Sequence, residues 1–221
     1  MKIKAESILP YLILNLFLIA CFISKSYAAS YNNNLIYKIE ARYKRVDSIS
    51  AYFYQKEIFP GYSQNMKFKG YFYFERNAGM AWVYKYPFNK RQVLKNGRLY
   101  IVNNQDKKVS VINVGKERGG FPPNVVKVLG NLTKYFKIIK ISVNSDLNVI
   151  TVRLHPLSMQ RAKRISVGFN KKSLKIKSLK IMTHQGQTII FRYKNVRFNR
   201  HIDGSIFNIN FSSDYRIIKE N

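Results

Sequence analysis

Between Met66 and Glu75 the chain alternates so regularly that a pleated strand with two unlike faces is the conformation that accommodates it. Met66, Phe68, Gly70, Phe72 and Phe74 fall on one side, and Lys67, Lys69, Tyr71, Tyr73 and Glu75 on the other. The first set is apolar, aromatic or small and needs an apolar partner. One step further along the same side comes Arg76, a fixed cation at the rim of an apolar surface. A face of rings with a cation at its mouth suits an amphiphilic ligand, and nothing in it supplies a reacting group.

The same period recurs along the chain. Strands are expected over Ile49 to Phe59, stopped by Pro60-Gly61, then over Ala81 to Tyr86, Lys108 to Val114, Phe136 to Val143 and Val149 to Leu154. Further strands are expected over Arg164 to Phe169, Leu174 to Met182, Thr188 to Phe198 and Ser205 to Phe211. Arg91 to Leu94 and Arg98 to Val102 flank Asn96-Gly97, the dipeptide that a type I′ hairpin turn demands. Two helices interrupt the strands. Leu35, Ile36, Ile39, Tyr43 and Val46 recur at helical spacing behind Asn32-Asn33-Asn34, and Pro122-Pro123 opens a short helix through Val125, Val126, Val128 and Leu129 that ends near Gly130. Many antiparallel strands at short spacing with two helices imply a mainly β chain built on a strongly curved sheet or barrel. No internal repeat or linker divides it.

The first residues read as an export signal. Lys2 and Lys4 form a basic start, Ile8 to Ile23 is an apolar run broken by Pro10 and Asn15, and Ser26-Tyr27-Ala28 is a small-x-small cleavage site. A signal peptide over 1–28 and one domain over 29–221 are therefore expected. Leu18-Ile19-Ala20-Cys21 has the form of a lipobox, and its use would instead lipidate Cys21 and turn the following residues into a tether. Cys21 is the only cysteine, so residues 29–221 hold no disulfide or thiolate metal site.

Lysine and arginine number 39 against 11 aspartate and glutamate, giving a net charge of +28. Such an excess favours polyanions, and the export signal points to an anionic membrane surface rather than nucleic acid. Many of these lysines also serve simply as a solvated outer face. With so few acids, paired carboxylates for acid–base chemistry are scarce. His155, His184 and His201 are scattered, and no metal-ligand spacing or nucleophile elbow accompanies them. Neither an enzyme, a cofactor nor a metal site is expected.

The order of these segments resembles a known family, the periplasmic outer-membrane lipoprotein carrier proteins (LolA), whose relatives include the anchored receptor LolB. The resemblance rests on a helix followed by Ile49-Ser50-Ala51-Tyr52-Phe53-Tyr54-Gln55 and Gly70-Tyr71-Phe72-Tyr73-Phe74-Glu75-Arg76. Ala81-Trp82-Val83-Tyr84, Tyr86-Pro87 and the Asn96-Gly97 hairpin follow in order. Later come Leu154-His155-Pro156, Gly186-Gln187-Thr188, Phe191, Asn199 with Ile202, and Phe207. It implies a single-domain, unclosed antiparallel β-barrel with a helical lid. It also implies a monomeric periplasmic shuttle that takes lipoproteins from an inner-membrane ABC transporter to an outer-membrane acceptor.

In that family the arginine matching Arg76 hydrogen-bonds to the lid and is released by ligand, and the residue matching Met80 receives cargo. Asn77 departs from the pattern, where proline is usual, as does Met80, where an aromatic is usual. Phe53, Phe68, Phe72, Phe74 and Trp82 join Met80 as candidate acyl-chain contacts, and Val125, Val126, Val128 and Leu129 as the lid helix. The residues alone leave other readings open. Arg76 is equally a solvated surface cation, the aromatics equally fill a closed core, and the valine-rich helix equally packs on the sheet. Two further functions stand beside the carrier: a LolB-type receptor anchored through Cys21 at the outer membrane, and a basic envelope module that binds lipopolysaccharide or another polyanion.

Overall fold

The computed structural model describes residues 33–114, 125–158 and 162–220. The expected signal segment 1–28, Cys21 and the Gly119-Gly120 and Pro122-Pro123 breaks lie outside them. The chain divides into two compact units, residues 1–39 and 40–221. Of the first, residues 33–39 are described; they are helical, with Leu35, Ile36 and Ile39 buried. The helix, α1, runs over residues 33–44, and its last turn belongs to the second unit.

That second unit begins with a six-strand meander: β1 (Ser48–Ile58), β2 (Met66–Glu75), β3 (Gly79–Tyr86), β4 (Lys90–Lys95), β5 (Arg98–Asn103) and β6 (Lys108–Asn113). Two short helices follow, α2 (Val125–Leu129) and α3 (Leu132–Tyr135). A second meander is made of β7 (Phe136–Asn144), β8 (Val149–Pro156), β9 (Ala162–Asn170), β10 (Ile176–Thr183) and β11 (Thr188–Phe198), and β12 (Arg216–Glu220) ends the chain. Among the described residues these strands form one sheet in the order β12-β6-β5-β4-β3-β2-β1-β11-β10-β9-β8-β7. The two meanders meet where β1 pairs with β11, and β12 and β7 are left as free edges, so the sheet is not closed.

Local chemistry explains most of the boundaries. From Phe68 onward β2 alternates as its sequence does, with Gly70, Phe72 and Phe74 buried and Lys69 and Tyr71 exposed. The β4–β5 turn places Asn96 at φ 51° and Gly97 at φ 71°, the paired positive values that a type I′ turn requires. Inward residues of β1 come at odd positions, Ile49, Ala51, Phe53 and Gln55 all being buried. Leu132 and Phe136 bury the α3–β7 junction, and Ile150, Val152, Leu154, Ile165 and Val167 fill the face beneath it.

Besides α3, a helix the sequence pattern does not announce, three segments differ from the sequence-based expectation. Ser205–Phe211 alternates but is not a strand; it opens as a 3-10 turn, Gly204–Phe207, N-capped by Asp203, whose side chain accepts from the Ser205 N–H. It lays Phe207, together with the preceding Ile202, against Ala81 and Val93, while Arg91 donates to the Ser205 and Ile206 carbonyls. Leu174, expected to begin a strand, sits at φ 54° in the β9–β10 turn, where the Asn170 side chain accepts from the Lys172 and Ser173 N–H groups. Finally, β12 adds to β6 in parallel, a long-range pairing that no local pattern announces.

Tyr43, on the last turn of α1, is fully buried. Its ring meets Phe169 and Phe198 edge-on at 5.9 and 5.5 Å, and its hydroxyl oxygen accepts from the Ile176 N–H at 2.9 Å. Burial pushes its phenol far above the ordinary tyrosine range, so it stays neutral. Tyr43→Phe keeps the packing but orphans a buried N–H, and urea denaturation is expected to register a loss of about 1–3 kcal/mol. An unchanged midpoint would mean that water replaces the phenol.

Candidate functional site: an apolar cavity and an arginine at a helix end

Beneath α2 lies a cavity of about 300 Å³. Its walls come from strands that are distant in the sheet order. Gln92 and Leu94 of β4 face it, and so do Leu179 and Ile181 of β10, five places away. In a flat sheet those strands would stand roughly 24 Å apart at ~4.8 Å per strand, which a space of this size does not span. The sheet therefore curls, and its concave face makes the chamber. Period-two burial thus becomes a container through curvature.

Of the expected contacts, Phe72, Met80 and Trp82 line the cavity, and Val125 and Leu129 of α2 line it from the helix side. Phe53 shares the inward face of β1 but is wholly buried between Tyr84 and Phe191, at 5.3 and 5.9 Å between ring centres. Phe74 is likewise wholly buried, paired across the ladder with Ile49 and Met80. Phe68 rests edge-on against Tyr84 at 5.8 Å. These three rings support the walls without lining the cavity. Val126 is buried in α2, and Val128 faces a second space of about 30 Å³. That smaller space shares Val125, Leu129, Ile176 and Leu179 with the main chamber, so α2 sits between the two.

Several lining residues carry no sequence signal that sets them apart: Gln55, Glu57 and Tyr84 on β1 and β3, and Ile189, Phe191 and Tyr193 on β11. Phe191 and Tyr193 stack at 6.0 Å, nearly parallel. The alternation of β11 placed them on one face, but nothing in it told which strand face turns inward.

Arg76 lies at the end of β2, where its guanidinium gathers the C-terminal end of α1. It donates to the carbonyls of Lys44 at 2.9 Å and Val46 at 2.8 Å, and to the Asp47 carboxylate at 2.8 Å. Its own N–H donates to the Asp47 carbonyl at 2.8 Å. A helix end presents unsatisfied carbonyls and a negative dipole, so a cation is favoured there. Asn199, in the left-handed region at φ 53°, holds the same corner by accepting from the Asp47 N–H and donating to the Arg45 carbonyl.

Among the described residues these bonds reach α1 and the Asp47 turn and do not reach α2. The connection to α2 runs through α1. A Cβ on Gly130, just after α2, would stand 3.2 Å from Lys44 Cγ, and the Glu40 carboxylate accepts from the Thr133 N–H and hydroxyl at the start of α3.

A basic groove adjoins this corner. Arg197, Arg200 and His201 surround Phe198, with Arg42 at 5.5 Å and Lys175 at 5.6 Å over its ring. Arg200 and His201 also border the groove that holds Arg76. Among the described residues no cluster of three or more histidine, cysteine, aspartate or glutamate side chains is placed to hold a metal, and no helix is long and apolar enough to cross a membrane.

An unclosed sheet curled over an apolar chamber, with short helices packed on its open side, defines a half-barrel binding fold. The chain belongs to the outer membrane lipoprotein carrier protein LolA family, whose profile matches residues 44–210. Among solved structures it is similar to an uncharacterized conserved protein from Thermus thermophilus, at 7% identity and TM-score 0.52, over 86% of this chain and 99% of that one. It is also similar to the LolA superfamily protein NE2245 from Nitrosomonas europaea, at 10% identity and TM-score 0.43, over 79% of this chain and 96% of that one. A third is a putative outer membrane lipoprotein-sorting protein domain from Vibrio parahaemolyticus, at 10% identity and TM-score 0.46, over 77% and 93%. No curated protein matches the chain by sequence.

Proposed function

We propose that the protein is a non-enzymatic periplasmic carrier that shelters lipoprotein acyl chains in the cavity beneath α2. It would receive them from an inner-membrane ABC transporter and deliver them to an outer-membrane acceptor. The observation that carries this reading is the pairing of an apolar chamber with a cation that holds a neighbouring helix end. Magnitudes favour such a pairing. The Arg76 and Asp47 side chains are 44% and 73% exposed, so their ion pair contributes about 0–1 kcal/mol. With two half-exposed carbonyl bonds added, the whole contact is on the order of 1–2 kcal/mol. Burying a few methylenes at ~0.8 kcal/mol each outweighs that, so an entering chain can displace the end of α1 and, through Gly130 and Glu40, loosen α2. The closed form then competes with cargo and favours release.

A chamber of about 300 Å³ stands at the lower end of the ~300–1,000 Å³ range of small-ligand sites, which fits a closed form that enlarges when α2 moves. The basic groove around Phe198 suits approach to an anionic lipid surface.

The test is Arg76→Leu, assayed for uptake of an acylated peptide and for its transfer to acceptor-bearing membranes. Uptake is expected to be equal or up to ~10-fold tighter, with transfer correspondingly slower. Unchanged transfer would remove Arg76 from the mechanism.

A further inference from the structure

The cavity is apolar along most of its wall but carries a carboxylate at one end. Glu57 lines it from the last turn of the β1 pleat, level across the ladder with Ile189 of β11 and, beyond it, Ile181 of β10. Its Oε1 accepts from Gln55 Nε2 at 2.6 Å, and its Oε2 accepts from Gln187 Nε2 at 3.5 Å. Gln55 is buried, and its Oε1 in turn accepts from the Tyr84 hydroxyl at 3.2 Å. The Tyr84 phenol is pushed far up, first by burial and then by the Glu57 charge.

Among the described residues no protein cation answers that charge. Two salt bridges occur among them, Arg76 with Asp47 and Lys107 with Asp214, and neither includes Glu57, in a chain with 39 lysines and arginines against 11 acids. A carboxylate offers about four acceptor positions and is costly to keep against an apolar space unless it is paired. Two amides occupy part of that capacity. Glu57 is half-buried where it borders the cavity, which leaves acceptor positions for a donor on a ligand there. Trp82, Ile189 and Phe191 border the same space, so a group seated on Glu57 has apolar wall beside it for its chain.

We propose that the cavity selects amphiphiles bearing a hydrogen-bond-donating ammonium group, seated on Glu57 with the alkyl chain along Trp82 and Phe191. This rests on the reading of the cavity as an acyl-chain site and adds the chemistry of the headgroup. An ammonium next to acyl chains comes from two sources, an ethanolamine lipid headgroup or the free amino terminus of an acylated peptide. The assignment runs against the protein's overall charge, which alone would favour anionic amphiphiles.

The test is calorimetric titration of the full protein with decylammonium, decyltrimethylammonium, decanol and decyl sulfate below their micellar concentrations. Decylammonium is expected to bind about tenfold or more tighter than the trimethyl analogue, which has the charge but no N–H, and than decanol. Glu57→Gln should bring decylammonium down to the decanol value measured on the same variant. The wild-type headgroup order needs no variant, so a folding defect in Glu57→Gln leaves the question answerable. Decyl sulfate as the tightest ligand, or an ammonium preference that survives Glu57→Gln, overturns the headgroup assignment while leaving the apolar site intact. Failure of every decyl probe to bind overturns both. Short-chain phosphatidylethanolamine against phosphatidylcholine, and a diacylglyceryl-cysteinyl peptide with a free against an acetylated amino terminus, then assign the source. A Glu57-dependent preference in either pair supports the proposal, and its absence from both overturns it.

Discussion

Gly70→Ala is expected to destabilise the protein by more than ~3 kcal/mol, a large effect for one methyl group. A Cβ built at Gly70 would stand 2.1 Å from the Val83 carbonyl oxygen, 2.9 Å from its carbonyl carbon and 3.0 Å from the Tyr84 Cα. All three are backbone atoms of the neighbouring strand, so no rotamer change relieves the overlap. β3 would have to move, and β3 carries Trp82 and Tyr84 into the cavity wall. The β2–β3 register shifts between Lys69 and Gly70, and this irregularity brings the two chains close.

Gly168→Ala is the matched control. There the nearest atom is the side-chain Oγ of Ser178 at 2.3 Å, which can rotate away, and a cost within about 1 kcal/mol is expected. Trp82 is the only tryptophan, so its fluorescence during urea unfolding reports both the global transition and the cavity wall. Equal midpoints for the two variants would mean that β3 yields easily.

The same residue shows what a sequence discloses and what it withholds. Alternation from Phe68 to Phe74 marks Gly70 as inward-facing, and Asn96-Gly97 marks its hairpin, because pleat and turn chemistry act over a few residues. Depth on a face is a different matter. Phe53, Phe72 and Phe74 read alike, yet Phe53 and Phe74 are sealed by cross-strand partners while Phe72 borders the cavity. Which of them meets open space depends on how far the sheet curls, and curvature is summed over strands from β4 to β10. Glu57 is silent in the sequence for the same reason: it precedes Ile58 at a strand end, and its place in the chamber depends on β11 and β10.

Arg76 was legible as a cation at a rim, and its partners lie at a helix end. That the helix is α1, with α2 reached indirectly, depends on loop paths without any period. β12 is not legible in the sequence because a parallel edge strand pairs with β6, about a hundred residues earlier in the chain, and five residues of Arg-Ile-Ile-Lys-Glu carry too little pattern to declare it.

Ile189→Trp is expected to lower the affinity for acyl amphiphiles more than ~10-fold while leaving the fold at least as stable. Ile189 faces the chamber from β11, flanked on the ladder by Glu57 and Ile181, so a larger side chain there extends into space that is already empty. Filling recovers dispersion contacts that the cavity lining lacks, whereas the same substitution in a packed core would cost ~1–3 kcal/mol of strain. The ligand then has to displace a covalently attached indole, which dilution does not remove. Ile217→Trp, at an exposed position on β12, adds the same side chain away from the cavity and is expected to leave binding unchanged.

Calorimetric titration with decanol separates the outcomes. Lost binding with a retained or raised unfolding midpoint locates the chain beneath α2, and makes the closing energy supplied through Arg76 the relevant competitor. Undiminished binding in Ile189→Trp would put the amphiphile elsewhere, and the groove where Arg197 and Arg200 surround Phe198 is a candidate, with both an aromatic and charges to receive one. In that case the protein would hold its ligand by the headgroup, affinity would fall steeply with salt, and the chamber would be a packing void of the half-barrel.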